Sequence, residues 1–289
     1  MKVLVAGPFV GEFGWELFCW QPMVRSAWLK RRPDRTIVYT RPGRNRLYAF
    51  ADEVRTLDGV PDHEPECLAW HDFTDDKKRQ LNEVVQRMVA TVKAELKEGD
   101  QLHAFTLAAL KSWNVESYDL GSPDPLRGES YLANLQGLPY DPYKPVIALC
   151  VRDRAMSEFR NWEPANWYEL AEALTGLGHN VIFVGTTRTE FSLPAGVPSF
   201  LNSTTIDDLI GLFSHDVVLA VGGTSGIMHL ASRCGCAHLV WGWGECVERY
   251  AATNWFGANC KVRDDWGYDP NPQDVAAVVD KYLKTGAWE

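Results

Sequence analysis

The chain has 289 residues, of which 46% are hydrophobic and 23% charged, and its formal net charge at pH 7 is −9. This length allows two domains of ordinary size, and this composition excludes a disordered or low-complexity chain. The negative charge argues against broad electrostatic binding to nucleic acid or to an anionic membrane.

The residue pattern of the first half of the chain predicts the first strands and helices of an α/β domain. Strands are expected at residues 3–6 and 36–40, and helices at residues 17–30 and 75–97. Residues 107–141 are rich in Pro, Gly, Ser and Tyr, as a loop region or an interdomain connector would be.

From residue 145 onward, short apolar runs alternate regularly with helical patterns. The predicted strands are 146–151, 179–184, 216–221 and 237–241, and the predicted helices are 165–177, 206–213 and 226–233. This alternation is typical of a parallel sheet with right-handed crossovers.

The chain is therefore predicted to be α/β, with two Rossmann-like domains facing a cleft. We expect an acceptor-side domain at residues 1–141 and a donor-binding domain at 142–271. Segment 272–289 carries a final helix, which we expect to pack back on the first domain.

The cysteines and the hydropathy predict a cytoplasmic protein. No apolar run reaches the roughly 18 residues that a membrane span needs. The seven cysteines are odd in number and lie mostly in apolar runs, which is typical of reduced core thiols. Cys234 and Cys236 form a CxC motif without a second matching pair, a pattern that disfavours zinc.

The turn after the predicted strand 216–221 has the composition of a phosphate-binding loop. Glycines let the main chain approach a ligand, and the helix that follows presents free N–H groups with a positive dipole end. Because any doubly wound fold needs tight turns, a purely structural turn is the alternative. His229, inside the helix, has the alternative of a core histidine.

This turn resembles the donor-binding region of lipopolysaccharide heptosyltransferases, in the glycosyltransferase-B superfamily. In that family a strand ending in Asp-Thr-Gly leads to a helix carrying His-Leu. This chain has Thr224-Ser225-Gly226 and His229-Leu230 at these places, so Thr224 replaces the Asp. The resemblance implies donor binding by Gly223, Thr224, Ser225, Gly226 and His229.

A second match to the same family precedes the predicted helix 165–177. The order of a basic residue and two tryptophans, Arg160, Trp162 and Trp167, resembles the family's segment in which a Lys or Arg contacts the donor phosphates. The resemblance assigns Arg160 to that role, with Arg152 nearby; a guanidinium grips a diphosphate at two points. Surface ion pairing is the alternative for the arginines, and hydrophobic anchoring is expected of the tryptophans.

A third match lies near the N-terminus, at Gly11-Glu12. The family has a Gly-Asp pair there whose carboxylate is the general base, so the resemblance makes Gly11 a substrate contact and Glu12 the first candidate base. Glu16 is the second candidate. The alternative for Glu12 is helix capping, because an acid near a helix start is stabilising in any case.

Two further segments complete the predicted donor site. Gly185, Thr186 and Glu190 resemble the family's segment near the nucleotide base. Trp243 and Glu245 follow the last predicted strand, where the family has a Gly-Pro turn. Trp243 is interpreted either as a base-stacking or as a packing residue. Glu245 or Glu248 is interpreted as an acceptor of hydrogen bonds from the ribose hydroxyls.

The resemblance, which covers most of residues 145–250 and about twenty N-terminal residues, implies a glycosyltransferase that uses a nucleotide-diphosphate sugar and inverts the anomeric carbon. No cofactor or metal is expected, because no compact Asp-x-Asp pair follows a strand. The acceptor is open: a glycan, another hydroxyl compound or a modified DNA base. The alternative functions are a nucleotide-sugar epimerase or hydrolase, and a non-catalytic nucleotide or sugar binder.

Overall fold

The computed structural model describes residues 1–56, 74–107, 124–135, 137, 141, 143–190, 192–244, 248, 250, 254 and 257–288. The chain divides into two compact units, unit 1 (Met1–Pro123) and unit 2 (Asp124–Glu289). Each unit contains a parallel sheet with helices between its strands, so the predicted α/β class is confirmed.

Unit 1 is built on a four-stranded parallel sheet in the order β3-β2-β1-β4. Its strands are β1 (Lys2–Ala6), β2 (Arg35–Tyr39), β3 (Glu53–Arg55) and β4 (Gln101–Phe105). The central strands β1 and β2 are buried after their first residue, because a central parallel strand is covered on both faces.

Two helices complete the described part of unit 1. The first, α1, consists of three contiguous segments: Phe13–Trp15, the π-helical Glu16–Trp20 and Gln21–Arg31. The second, α2 (Asp75–Ala94), begins at Thr74, whose hydroxyl accepts a hydrogen bond from the Lys77 amide. One apolar stripe of α2 is buried: Leu81, Val84, Met88 and Val92.

Unit 2 is built on a five-stranded parallel sheet in the order β6-β5-β7-β8-β9. Its strands are β5 (Val146–Arg152), β6 (Asn180–Thr186), β7 (Val217–Gly223), β8 (His238–Trp241) and β9 (Cys260–Arg263). The chain adds β6 on one side of β5 and then returns to add β7 on the other side. The direction of strand addition therefore reverses between β5 and β7.

Four helices are described in unit 2, and two of them begin with a side-chain cap. They are α3 (Pro164–Gly176), α4 (Ile206–Gly211, continued by the π-helical Leu212–Asp216), α5 (Gly226–Arg233) and α6 (Pro272–Thr285). Thr205 and Asp208 form a capping box before α4, and the Asn271 side chain accepts from the Gln273 amide before α6.

Three tryptophans form the centre of the unit 2 core. Trp162, Trp167 and Trp241 are at most 4% exposed. Their ring centroids are separated by 4.8 Å for Trp162–Trp167, 5.1 Å for Trp162–Trp241 and 6.0 Å for Trp167–Trp241. The predicted role of these tryptophans as hydrophobic anchors is confirmed.

The division between the units differs from the predicted boundary at residue 141. Residues 124–135 belong to unit 2, where Asp216 accepts hydrogen bonds from the backbone amides of Tyr131 at 2.7 Å and Leu132 at 3.0 Å. The C-terminal helix α6, predicted to pack on the first domain, also belongs to unit 2. Its Val275, Ala276 and Val279 are part of that unit's core.

Two general properties of the chain bear on its environment. In the part of the chain that the structure describes, no helix has the length and hydropathy needed to cross a bilayer. The five described cysteines are free thiols. Burial raises the pKa of Cys236 to about 12, as expected for a core residue.

Candidate functional site

The strand order of unit 2 creates a topological switch point between the carboxyl ends of β5 and β7. Loops that leave two neighbouring strands in opposite directions open a crevice, and ligands of doubly wound α/β proteins bind there. Because β5 ends at Arg152 and β7 at Gly223, the loop with Arg160 and the turn Thr224–Gly226 both begin at this point.

The turn after β7 is tightly packed and leaves polar groups unused. A Cβ atom on Gly222 would lie 2.9 Å from the Cys150 carbonyl oxygen, so a larger residue would displace the turn. Ser225 is the N-cap residue of α5, but its hydroxyl does not cap the helix, and Ser225 Oγ is buried with no hydrogen-bond partner among the described residues. This hydroxyl and the first N–H groups of α5 together favour an anion.

Arg160 places a cation beside this turn. Its Nη2 donates hydrogen bonds to the Thr224 carbonyl oxygen and, at 3.1 Å, to Thr224 Oγ1. Its Nε is buried and has no partner among the described residues, and no carboxylate in those ranges forms an ion pair with it. A buried N–H group without a hydrogen-bond partner is costly, and a bound anion would supply that partner.

Thr224 contacts the Arg160 guanidinium through a neutral hydroxyl. The residue is 3% exposed; its hydroxyl accepts from Arg160 and donates to the Tyr268 hydroxyl at 3.4 Å. An Asp at this position would form an ion pair with Arg160 and neutralise it. The neutral Thr224 hydroxyl accepts a hydrogen bond from Arg160 and forms no ion pair with it.

Arg152, predicted to bind the donor together with Arg160, has a structural role in the loop after β5. It is 7% exposed, and its guanidinium donates to the carbonyl oxygens of Met156 at 2.7 Å and Ser157 at 3.2 Å and to the side chain of Asn161. These bonds hold the loop that carries Arg160. Arg152 is therefore a residue that positions Arg160.

A cavity of about 340 Å³ lies at the carboxyl end of β6. It is lined by Thr187, Arg188, Thr189, Glu190, Leu193, Leu201 and Asn202. Gly185 precedes it with φ of 114°, and a Cβ there would meet the Val151 carbonyl oxygen at 2.2 Å. Of the residues predicted to lie near the nucleotide base, Glu190 lines this cavity, Thr186 is exposed and Gly185 is half-buried near the end of β6.

Asp153 fixes the wall of this cavity. It accepts hydrogen bonds from the Arg188 backbone amide at 2.8 Å and from Arg188 Nε at 3.0 Å. Although burial opposes the shift, these bonds from Arg188 lower the pKa of Asp153, so the carboxylate stays charged. The cavity is thus held by an ion pair that joins the loops after β5 and β6.

An aromatic cluster borders the turn on its other side. Phe159 is 68% exposed and Trp243 is 62% exposed, and each contacts Tyr268, with a ring-centroid distance of 5.7 Å in both cases. We call Phe159, Trp243 and Tyr268 the aromatic rim. Sequence reasoning found Trp243 alone, because Tyr268 follows the unpredicted strand β9. Glu245, the other predicted residue in this region, lies outside the described residues.

His229 packs against a buried tyrosine. Its ring stacks on Tyr250, with centroids 4.5 Å apart and planes at 27°. Tyr250 is 1% exposed and donates a hydrogen bond to the Met228 carbonyl oxygen at 2.6 Å. This stacking fixes the orientation of His229 on α5, one turn beyond the unused hydroxyl of Ser225.

Glu12, in unit 1, precedes α1 and does not cap it. Its side chain is half-buried and makes no capping hydrogen bond. Gly11 is buried, and a Cβ there would lie 2.7 Å from the Phe9 ring, so this position has no room for a larger side chain. The alternative prediction for Glu12, a hydrogen bond from its side chain that caps α1, is therefore not seen in the structure.

Glu16, the second candidate base, is the centre of a buried polar network. The side chain is fully buried, and its carboxylate forms an ion pair with Arg44. It also accepts hydrogen bonds from Tyr48 at 2.7 Å and Thr40 at 3.1 Å, and burial raises the pKa of Tyr48. The network ties Arg44, Thr40 and Tyr48 to α1, so Glu16 has a structural role.

The fold, in which each of two units has a parallel sheet, is similar to that of solved glycosyltransferase structures. Similar solved structures include an E. coli ADP-heptose lipopolysaccharide heptosyltransferase II (TM-score 0.64, 14% identity, covering 99% of this chain and 100% of that one). A family 9 glycosyl transferase from Veillonella parvula has a TM-score of 0.57 and 13% identity, covering 98% of this chain and 89% of that one. An E. coli heptosyltransferase with ADP has a TM-score of 0.51 and 13% identity, covering 99% and 100%. No family model and no curated protein matches the chain.

Proposed function

We propose that this protein transfers a sugar from a nucleotide-diphosphate sugar to an acceptor hydroxyl. One observation carries the proposal: at the switch point of unit 2, Arg160 and the Ser225 hydroxyl lie at the N-terminus of α5. Within the described ranges, Arg160 has no carboxylate partner and Ser225 Oγ has no hydrogen-bond partner. A diphosphate supplies the negative charge and the acceptor oxygens that these groups lack.

The same groups suit the chemistry of a leaving diphosphate. In the proposed reaction an acceptor oxygen attacks the anomeric carbon, and the bond from that carbon to the diphosphate oxygen breaks with its electron pair. Arg160 and the α5 N-terminus stabilise the charge that develops on the departing nucleotide. Glu12 takes the proton of the acceptor hydroxyl, and attack opposite the leaving group inverts the anomeric carbon.

Similar solved structures support this class of donor. One was described as an ADP-heptose transferase and another was solved with ADP. The cavity beside Glu190 is a suitable place for the nucleotide base. We propose that the acceptor is a glycan or another hydroxyl compound, and that the enzyme acts in the cytoplasm, where its free thiols stay reduced.

The first prediction concerns donor binding. Arg160→Ala removes the guanidinium beside the turn, so the affinity for a nucleoside diphosphate is expected to fall by about 10- to 100-fold. Isothermal titration calorimetry with ADP, UDP, GDP and dTDP identifies the nucleotide that the wild type binds and then measures the loss.

Arg79→Ala is the matched control for Arg160→Ala. Arg79 is an exposed arginine on α2, paired with Asp76, so this change removes the same charge away from the turn. Its affinity is expected to equal that of the wild type. Equal affinities for Arg160→Ala and wild type would contradict the assignment, and no binding of any nucleotide by the wild type would contradict the proposed function.

A second prediction follows from the proposed metal-independent mechanism, in which Arg160 and the helix N-terminus neutralise the leaving group. Transfer measured in excess EDTA is expected to proceed at the rate found in untreated enzyme. A rate that falls in EDTA and returns with Mg²⁺ or Mn²⁺ would show that a cation shares this role with Arg160.

A further inference from the structure

The aromatic rim is an unusual feature of the surface of unit 2. Large apolar side chains are exposed singly on most proteins and need no explanation. Here Phe159 and Trp243, both more than half exposed, converge on one buried ring, that of Tyr268, which is 6% exposed. The convergence indicates a surface built for an apolar contact.

The position of Trp243 is imposed by the backbone beneath it. Gly267 has φ of 60°, and a Cβ at this residue would lie 2.2 Å from Trp243 Nε1. A larger residue would therefore push the indole out of place. The indole is held against the turn that carries Tyr268, although most of its surface faces solvent.

The rim adjoins the proposed diphosphate site. Arg160 Cζ lies 5.5 Å from the centroid of the Tyr268 ring, and Phe159 is the neighbour of Arg160 in sequence. The Tyr268 hydroxyl is 3.4 Å from Thr224 Oγ1. A group bonded directly to a phosphate at Arg160 would therefore lie against the rim.

The sheet order separates the rim from the cavity beside Glu190. The cavity follows β6 at one edge of the sheet, whereas Trp243 follows β8 and Tyr268 follows β9 at the other edge. Neighbouring strands are about 4.8 Å apart, so β6 and β9 are separated by roughly 19 Å. The two ends of a nucleotide-diphosphate sugar, its base and its sugar, lie on opposite sides of the diphosphate and match these two places.

The shape of the rim also distinguishes a sugar from a base. The planes of Phe159 and Trp243 make angles of 76° and 59° with Tyr268, so the rim is an angled surface. A flat nucleobase needs one flat platform, whereas a puckered sugar ring has C–H groups that point in several directions. The faces of aromatic rings carry negative charge density and attract the weakly positive hydrogens of such groups.

We infer that Phe159, Trp243 and Tyr268 form the subsite for the sugar ring of the donor. This inference rests on the proposed function, because the sugar is placed through a diphosphate bound at Arg160. It adds that the part of the sugar facing the rim is a C–H face, and that the hydroxyl groups of the sugar point away from it. Phe159 and Trp243 thereby become determinants of donor specificity.

The experiment compares a nucleoside diphosphate with its sugar conjugates. The nucleotide is the one that the wild type binds among ADP, UDP, GDP and dTDP. Its conjugates with glucose, galactose, mannose, rhamnose and N-acetylglucosamine are titrated into the wild type by calorimetry, and the tightest is kept. Trp243→Ala and Phe159→Ala are each expected to weaken binding of this conjugate by about 3- to 10-fold, with less than a 2-fold change for the nucleoside diphosphate.

Tyr143→Ala is the matched control, because Tyr143 is an aromatic residue of unit 2 that is 96% exposed. Its affinities are expected to equal those of the wild type. The inference is overturned if the rim variants lose diphosphate and conjugate affinity equally, if they lose neither, or if no conjugate binds the wild type more tightly than the diphosphate alone. If the wild type binds none of the four nucleoside diphosphates and none of their conjugates, the proposed function and the inference are overturned together.

Discussion

Glu12→Gln is expected to reduce sugar transfer by about 10²- to 10⁴-fold while donor affinity stays unchanged, because an amide cannot take the acceptor proton. Glu12 precedes α1 and its side chain makes no capping bond. Because Glu12 is only half-buried and Gln has nearly the same shape, the loss should appear in kcat with little change in the free energy of unfolding. Initial rates at saturating donor and acceptor, together with calorimetric titration of the donor, measure the two quantities separately.

The matched control for this prediction is Glu163→Gln. Glu163 is the N-cap residue of α3 and, like Glu12, makes no side-chain capping bond, so the change has the same chemistry at an equivalent helix start. Its rate is expected to equal that of the wild type. A Glu12→Gln variant that retains a wild-type rate would remove Glu12 from the mechanism.

Glu16→Gln is expected to destabilise the protein by about 3–5 kcal/mol, because the change leaves Arg44 without its partner in a buried network. Glu16 is fully buried and Arg44 is only 14% exposed. An amide has the shape of the carboxylate but lacks its charge, and it cannot accept hydrogen bonds at both atoms. Urea denaturation followed by circular dichroism measures the free energy of unfolding.

Glu12→Gln is the internal control for Glu16→Gln, because both changes replace a glutamate at the start of α1. The two variants are expected to differ in kind: Glu12→Gln loses turnover and keeps stability, and Glu16→Gln loses stability. If Glu16→Gln keeps the wild-type unfolding free energy and loses turnover instead, then Glu16 is the base and the structural role is wrong.

Thr224 stands where the heptosyltransferases that this chain resembles have an Asp, and this difference changes the charge of the proposed donor site. With Asp at this position, a carboxylate and a guanidinium would lie in contact, and the net charge of the pair would be zero. With Thr224 the hydroxyl positions Arg160, and the full positive charge remains for the diphosphate. A catalytic function therefore remains consistent with this departure from the family.

The sequence by itself determined the most deeply buried strands, because these are covered on both faces and must be apolar. Strands β1, β2 and β5–β8 coincide with predicted apolar runs within about a residue or two at each end. Three strands were not predicted: β3, β4 and β9. All three lie at sheet edges, where a strand has a neighbour on one side only and polar residues are favoured. Their pairing, and not their own hydropathy, makes them strands.

The sequence also located the turn Thr224–Gly226 and Arg160, because glycine, hydroxyl and basic residues at loop positions are a local pattern. Only the tertiary structure decided what each charged residue contacts. Arg152 lies close to Arg160 in sequence, and Glu16 lies close to Glu12. Each has the same residue type as its neighbour, yet Arg152 and Glu16 form hydrogen bonds that hold the fold. Phe159 and Tyr268 are far apart in the chain and meet only on the folded surface. Residue type is a local property of the sequence, whereas the partner of a side chain is set by elements distant in sequence, and function depends on the partner.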